Sequence, residues 1–206
     1  MKIAAITFDL DGVLVDATEL HRVALNEALK ACGKSEIPLE DHRKTFNGLP
    51  TRTKLAKLGY NSHEISWISE EKQRRTVLEI ERAVRPNPEL VLLLHELSKE
   101  YPIACASNAV KESVESMLKL SGIRNFFNVV LSNQDVKEPK PSPEIYKKAA
   151  ELLAVDPSAM LVVEDSYVGR TAALRAGTCL CIVGQPSDVT LKLIQDHIKL
   201  YNSLAL

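Results

Sequence analysis

KIAAITFDLDGVLVD, residues 2–16, sets two aspartates against the end of an apolar run. Ile3 to Phe8 reads as a short buried strand, too brief for a buried helix and followed at once by charge. Asp9 and Asp11 then stand one residue apart, with Gly12 behind them. Two like charges at the end of a buried strand are costly unless a cation or a reaction occupies the same place.

Four later runs have the character of this one: 102–107, 128–132, 159–164 and 178–183. They are rich in Val, Ile, Leu, Ala and Cys and lack alternation, as expected of parallel strands covered on both faces. Helical patterns lie between them, over Leu90–Glu100, Val110–Ser121, Pro143–Leu153 and Val168–Ala176, with Gly122 and Gly177 as stops for the second and fourth. Alternation of strand and helix predicts an α/β fold, a Rossmann-like parallel sheet flanked by helices.

One segment breaks the alternation. From Ala17 to Arg85 only helical signals occur, over Glu19–Cys32, Leu39–Phe46, Thr51–Leu58 and Glu64–Val84, punctuated by Gly48, Pro50 and Gly59. Pro86 and Pro88 close the block. The chain therefore divides into an α/β core, residues 1–16 and 86–206, and an all-helical insert, residues 17–85, placed after the first strand.

The 206 residues carry 26 Lys plus Arg against 27 Asp plus Glu, a net charge of -1 that gives no support to a nucleic-acid or membrane-surface role. No apolar run reaches the roughly 20 residues needed to span a bilayer. The first apolar run is cut too early for a signal-peptide core, and a cytoplasmic location is expected. Cys32 and Cys105 stand alone, and Cys179 and Cys181 flank one residue in an apolar run. Without a second pair or histidines at ligand spacing, they read as buried thiols. Trp67 is expected to pack within the insert, and no partner-specific pattern argues against a monomer.

Ligands of parallel α/β sheets bind beyond the carboxyl ends of the strands. The five runs place Asp9 and Asp11, Ser107 and Asn108, Lys140, and Glu164 with Asp165 at or after such ends. If the ends converge, four carboxylates meet, and they stay ionised together only with a cation. An all-oxygen donor set suits Mg²⁺. A hydroxyl, a lysine and turn N–H groups suit a phosphate.

FDLDGVLVD at 8–16, Ser107, Lys140 in PKPSPEIY at 139–146 and EDSYVGRTAALRAG at 164–177 stand in the order of four motifs. That ordered set resembles the haloacid dehalogenase superfamily, and the helical insert resembles the cap of its β-phosphoglucomutase-like, sugar-phosphatase branch. The resemblance implies a nucleophile at Asp9 that becomes an aspartyl-phosphate, and a general acid/base at Asp11. It implies phosphoryl binding by Ser107 and the Asn108 N–H, and charge neutralisation by Lys140. Mg²⁺ would be held by Asp9, the Asp11 carbonyl, Asp165 and Glu164, the last directly or through water. Asp11 favours phosphoryl transfer over dehalogenation, because a halide needs no proton on leaving.

In the insert, FNGLPTRTKL at 46–55 resembles the substrate-specificity loop of the branch. Arg52 is its expected contact with the far end of the substrate, a second anionic group being one candidate there, and Lys54 is the weaker candidate. His21 corresponds to a histidine near the acid/base at the cap hinge. The expectation is a phosphatase of a small phosphate ester, a sugar phosphate above all. A phosphomutase shares every core residue, and a phosphoaspartate switch of the receiver type is the alternative from another class.

Overall fold

A computed structural model describes residues 2–46 and 49–204, with the side chain of Arg43 left out, so Asn47 and Gly48 of the expected specificity loop lie outside the described residues. The five apolar runs form five parallel strands: β1 Ala5–Phe8, β2 Ile103–Ala106, β3 Val129–Leu131, β4 Met160–Glu164 and β5 Cys179–Ile182. Their spatial order is β3-β2-β1-β4-β5, which puts β1 at the centre.

The missing alternation in the sequence has its explanation here, because both faces of the sheet are covered. Ile6, Phe8, Ile103, Cys105, Leu161 and Val163 project into one apolar cluster. Ala5, Ala104, Ala106, Met160 and Val162 project into another. Successive side chains of a strand point to opposite faces, so apolar residues at every position mean two interiors.

The first cluster is completed by α5 Pro88–Ser98, α6 Lys111–Leu120 and α9 Leu191–Leu204. The second is completed by α7 Glu144–Leu152 and α8 Tyr167–Ala176. Helix α9 was not among the elements expected from sequence, although Leu191, Ile194, Ile198 and Tyr201 recur at helical spacing. Gly177 ends α8 in the left-handed conformation at φ 80°, the geometry that favours glycine.

Between β1 and β2 the chain is helical: α1 Thr18–Ala31, α2 Leu39–Asp41, a π-helical turn His42–Phe46, α3 Thr51–Lys57, α4 Ser62–Ala83 and then α5. Asn61 starts α4 with a capping box, accepting from the N–H groups of His63 and Glu64 while Glu64 accepts from the Asn61 N–H. The insert has its own apolar interior of Leu25, Ala28, Leu29, Ile37, Phe46, Leu55 and Ile68. Its hinge-side residues Leu20, Ile80 and Val84 belong instead to the sheet's cluster, as do Leu90, Leu93, Leu94 and Leu97 of α5. Trp67 does not pack as expected and is 43% exposed. The four cysteines are free thiols, two buried and two half-buried. Among the described residues no helix is long and apolar enough to cross a membrane.

Candidate active site

The register of β1 on β4 pairs Phe8 with Val163, so Asp9, just past the end of β1, lies beside Glu164, the last residue of β4. The Asp9 N–H donates to the Val163 carbonyl at 3.0 Å, which carries the pairing one step past the strand. On the other side Phe8 pairs with Cys105, and Ser107 follows the end of β2. The convergence expected from strand ends is therefore a consequence of parallel pairing at a central β1.

Lys140 reaches this point from the loop after β3. Its ammonium donates to Asp9 Oδ1 at 2.6 Å, Glu164 Oε1 at 2.7 Å and the Ala106 carbonyl at 2.8 Å. All three protons have acceptors, and the side chain is buried. Asn108 fixes the Lys140 backbone, accepting from its N–H at 2.9 Å and donating to its carbonyl at 3.2 Å. That structural task of the Asn108 side chain was invisible in the sequence. So was Tyr146, fully buried, whose hydroxyl donates to Glu164 Oε1 at 2.7 Å. Tyr146 lies six residues beyond Lys140 on α7, where it reads simply as an apolar-face residue.

Charge in this centre is unbalanced. Asp9, Glu164 and Asp165 bring three carboxylates whose oxygens lie within 4.8 Å of one another, beside the one ammonium of Lys140. Burial pushes the Asp9 carboxyl well up, with Glu164, Asp11 and Asp165 adding to the rise against the pull of Lys140. Burial also pushes Asp165 up, to about 6, with Glu164 adding to it. Lys140 is penalised by burial, yet Asp9 and Glu164 hold its pKa well above the usual lysine value. Asp165 Oδ1 is buried with no hydrogen-bond partner among the described residues. An orphaned carboxylate oxygen beside two further carboxylates is what a hard cation with oxygen ligands fits.

Two glycines make room for this cluster. A β-carbon at Gly169 would overlap the Glu164 carboxylate, and one at Gly12 would overlap that of Asp165. Ser166 caps α8 by accepting from the Gly169 N–H at 3.1 Å, while its own N–H and hydroxyl both donate to Glu164 Oε2 at 3.1 Å.

Asp11 is held differently. Ser107 Oγ donates to Asp11 Oδ2 at 3.2 Å, and His21 Nε2 lies 3.0 Å from Asp11 Oδ1. Lys72 Nζ lies 3.1 Å from His21 Nδ1. With the Lys72 ammonium donating to Nδ1, the imidazole proton sits on Nε2 and faces Asp11. Burial alone would raise Asp11, but His21, Lys72 and Ser107 outweigh it and hold the carboxyl below its ordinary value. Lys72 itself was not singled out in the sequence, because it sits inside the charged run EEKQRR of α4.

A cavity of about 230 Å³ lies between the sheet's carboxyl end and the insert. Asp9, Asp11, Asn108, Lys140 and Asp165 line its floor, and His21, His42, Arg52, Lys54, Ser69 and Lys72 come from the insert. Arg52 is exposed, whereas Lys54, two residues on, is only 8% exposed.

The family profile described as haloacid dehalogenase-like hydrolase matches residues 6–183. The chain belongs to this family. It is 30% identical to the phosphoglycolate phosphatase of Aquifex aeolicus, over 96% of this chain and 96% of that protein. It is 32% identical to a phosphorylated carbohydrates phosphatase of Thermotoga maritima, over 84% of this chain and 81% of that protein. The crystal structure of β-phosphoglucomutase from Clostridium difficile superposes with a TM-score of 0.83 at 23% identity, over 98% of this chain and 99% of that one, a likeness of fold. The haloacid dehalogenase-like chain is thus an enzyme, a phosphatase of small phosphorylated molecules, and the receiver-type switch is set aside. Its acidic triad forms a site that can hold a metal.

Proposed function

We propose that the enzyme is a Mg²⁺-dependent phosphatase of a small metabolite, with sugar phosphates as the first substrates to test, and that it works through an aspartyl-phosphate on Asp9. The observation that carries this reading is the grip of Lys140 on Asp9 Oδ1 at 2.6 Å beside the partnerless Asp165 Oδ1. The first orients a nucleophile, and the second gives a cation its place. The phosphatases of Aquifex aeolicus and Thermotoga maritima support the reaction class.

Asp9, Asp165 and Glu164, with the Asp11 carbonyl, would hold Mg²⁺, which when bound offsets the carboxylates' mutual repulsion and the charge of the phosphoryl group. In the first step a carboxylate oxygen of Asp9 attacks phosphorus. The bond from phosphorus to the ester oxygen breaks, and that oxygen leaves with the electron pair and a proton from Asp11. In the second step water attacks the same phosphorus and gives its proton to Asp11. The bond to Asp9 breaks and inorganic phosphate departs. The proton on Asp11 is taken up with the substrate, whose negative charge opposes the carboxylate's ionisation. Ser107 and the Asn108 N–H orient the phosphoryl oxygens, and Lys140 neutralises their charge through the transfer.

Residues 17–85 act in this reading as a cap over the core of residues 1–16 and 86–206, closing on the substrate and excluding bulk water. A panel of phosphate esters with Mg²⁺ tests the reading, with Asp9→Asn as control. Phosphate release by the parent and none by the variant is expected. Equal release by both removes Asp9 as the nucleophile. Phosphorus NMR of the product separates hydrolysis from migration of the phosphoryl group to a second hydroxyl, the phosphomutase outcome.

A further inference from the structure

Helix α4 belongs to two apolar interiors. Ile68 packs in the cluster of the insert and Ile80 in that of the sheet. Between them Ser69, Lys72 and Gln73 line the cavity, and there polar side chains join the insert to the core. Gln73 Nε2 donates to Ser113 Oγ at 3.1 Å and to Glu112 Oε2 at 3.2 Å. Ser113 Oγ in turn donates to Gln73 Oε1 at 3.4 Å, near the limit of a hydrogen bond. Both amide protons of Gln73 thus have acceptors, and the Glu112 carboxylate requires that the nitrogen rather than the oxygen face it. Ser113 is 1% exposed, so its hydroxyl is shielded from water and relies on Gln73.

Glu112 and Ser113 stand in the first turn of α6, the helix that follows Ser107 and Asn108. Gln73 is seven residues from Ile80, about 10 Å along the axis of α4. Bonds that far from the apolar end of the helix oppose a swing of the insert about that end. They are hydrogen bonds, though, which water can replace at modest net cost, whereas an apolar seal would have to expose its surface. A joint of this kind holds and still parts reversibly. His21 belongs to the insert and Asp11 to the core, so a swing that breaks the Gln73 bonds also draws His21 from Asp11.

We propose that Gln73 latches the insert to the core, its bonds to Ser113 and Glu112 holding the arrangement in which His21 meets Asp11 and opening for substrate to enter and product to leave. This inference rests on the phosphatase reading and on residues 17–85 acting as its cap, and it names the bonds that set the closed state. Gln73 is a positioning residue, acting through the placement of His21. Substrate bound on the floor favours the closed state, and the latch sets how much of that state exists before substrate arrives. The apparent affinity falls in proportion when the closed fraction falls.

Steady-state kinetics with p-nitrophenyl phosphate and Mg²⁺, together with small-angle X-ray scattering of the protein without substrate, test the latch. Gln73→Glu sets a second carboxylate against Glu112 and should open the insert. KM is expected to rise about fivefold or more, kcat to change less than KM, and the radius of gyration to increase. Gln73→Glu with Glu112→Gln exchanges carboxylate and amide between the two positions. The double variant renews donor and acceptor and should return KM and radius toward the parent's. Gln73→Ala should act as Gln73→Glu does, by a smaller amount, and stands in for it if that variant does not fold. Unchanged KM and radius in the single variants overturn the latch, and so does a double variant no better than Gln73→Glu. Failure of the phosphatase reading is separate: the parent then releases no phosphate from p-nitrophenyl phosphate, while the scattering comparison still decides the latch.

Discussion

His21 Nε2 lies 3.0 Å from Asp11 Oδ1, so a residue of the first helix of the insert holds a carboxylate that leaves the central strand. Behind it Lys72, from a second helix of the insert, fixes the ring's tautomer. The charge state of Asp11 is therefore set by the insert, and under the proposed mechanism closure of the cap and readiness for proton transfer become one event.

Replacing His21 by Ala removes the largest influence that keeps Asp11 below its ordinary pKa. The carboxyl then rises, so Asp11 accepts its proton at a higher pH than in the parent. The alkaline limb of the pH profile of kcat/KM, where Asp11 loses the proton it gives to the leaving oxygen, should move to higher pH, with lower activity at the optimum. His21→Asn keeps an N–H near Asp11 and should restore part of both. An unmoved alkaline limb in His21→Ala would place the control of Asp11 elsewhere.

Lys140→Met strands Asp9 and Glu164 as buried carboxylates without their shared ammonium. Removing one member of a buried ion pair costs about 3–5 kcal/mol. Urea unfolding at neutral pH without divalent cation should show a loss of that order. Asp9 already has its pKa raised by burial, and the loss of Lys140 raises it further. The folded state then binds protons more readily than the unfolded chain. The deficit should shrink as pH falls through the folded pKa of Asp9 and persist above it. A deficit independent of pH would contradict this account.

Tyr146→Phe deletes one hydroxyl and leaves Glu164 Oε1 with Lys140 as its remaining donor. The substitution should destabilise the protein by about 1.5–3 kcal/mol, the worth of a hydrogen bond to a charged group. Weaker Mg²⁺ binding should accompany it, measured by calorimetry, because the Glu164 carboxylate is less firmly oriented. Stability and metal affinity both equal to the parent's would make the hydroxyl dispensable.

Gly169→Ala places a methyl group where the Glu164 carboxylate lies. The carboxylate must turn away, and Ser166, which donates to it twice, turns with it. Metal affinity should fall by about 10- to 100-fold, the usual effect of disturbing groups that orient a metal site. A Mg²⁺ titration followed by calorimetry reads this directly, and affinity within twofold of the parent would show that the close approach carries no function.

Much of the fold and the floor of the site was legible in one dimension. Five apolar runs without alternation meant a parallel sheet covered on both faces, and five parallel strands are found. Motif residues at the ends of those runs had to meet if β1 was central, and Asp9, Lys140, Glu164 and Asp165 do meet. Helix α9 was missed although its spacing was present, because no glycine or motif drew attention to it.

The wall of the cavity was decided only in three dimensions. Arg52 carries the conspicuous charge of its loop, yet it is exposed, while Lys54 is turned inward. Just over half a turn of α3, about 200° of rotation, separates solvent from interior within two residues. Tyr146, Lys72, His42 and Ser69 acquire their partners, or their lack of them, from elements distant in the chain. Strand-end chemistry is local: a buried strand delivers the residue that follows it to a predictable edge. Which donors of the insert end without an acceptor depends on how its helices lean over that edge, and no spacing rule along the chain encodes it.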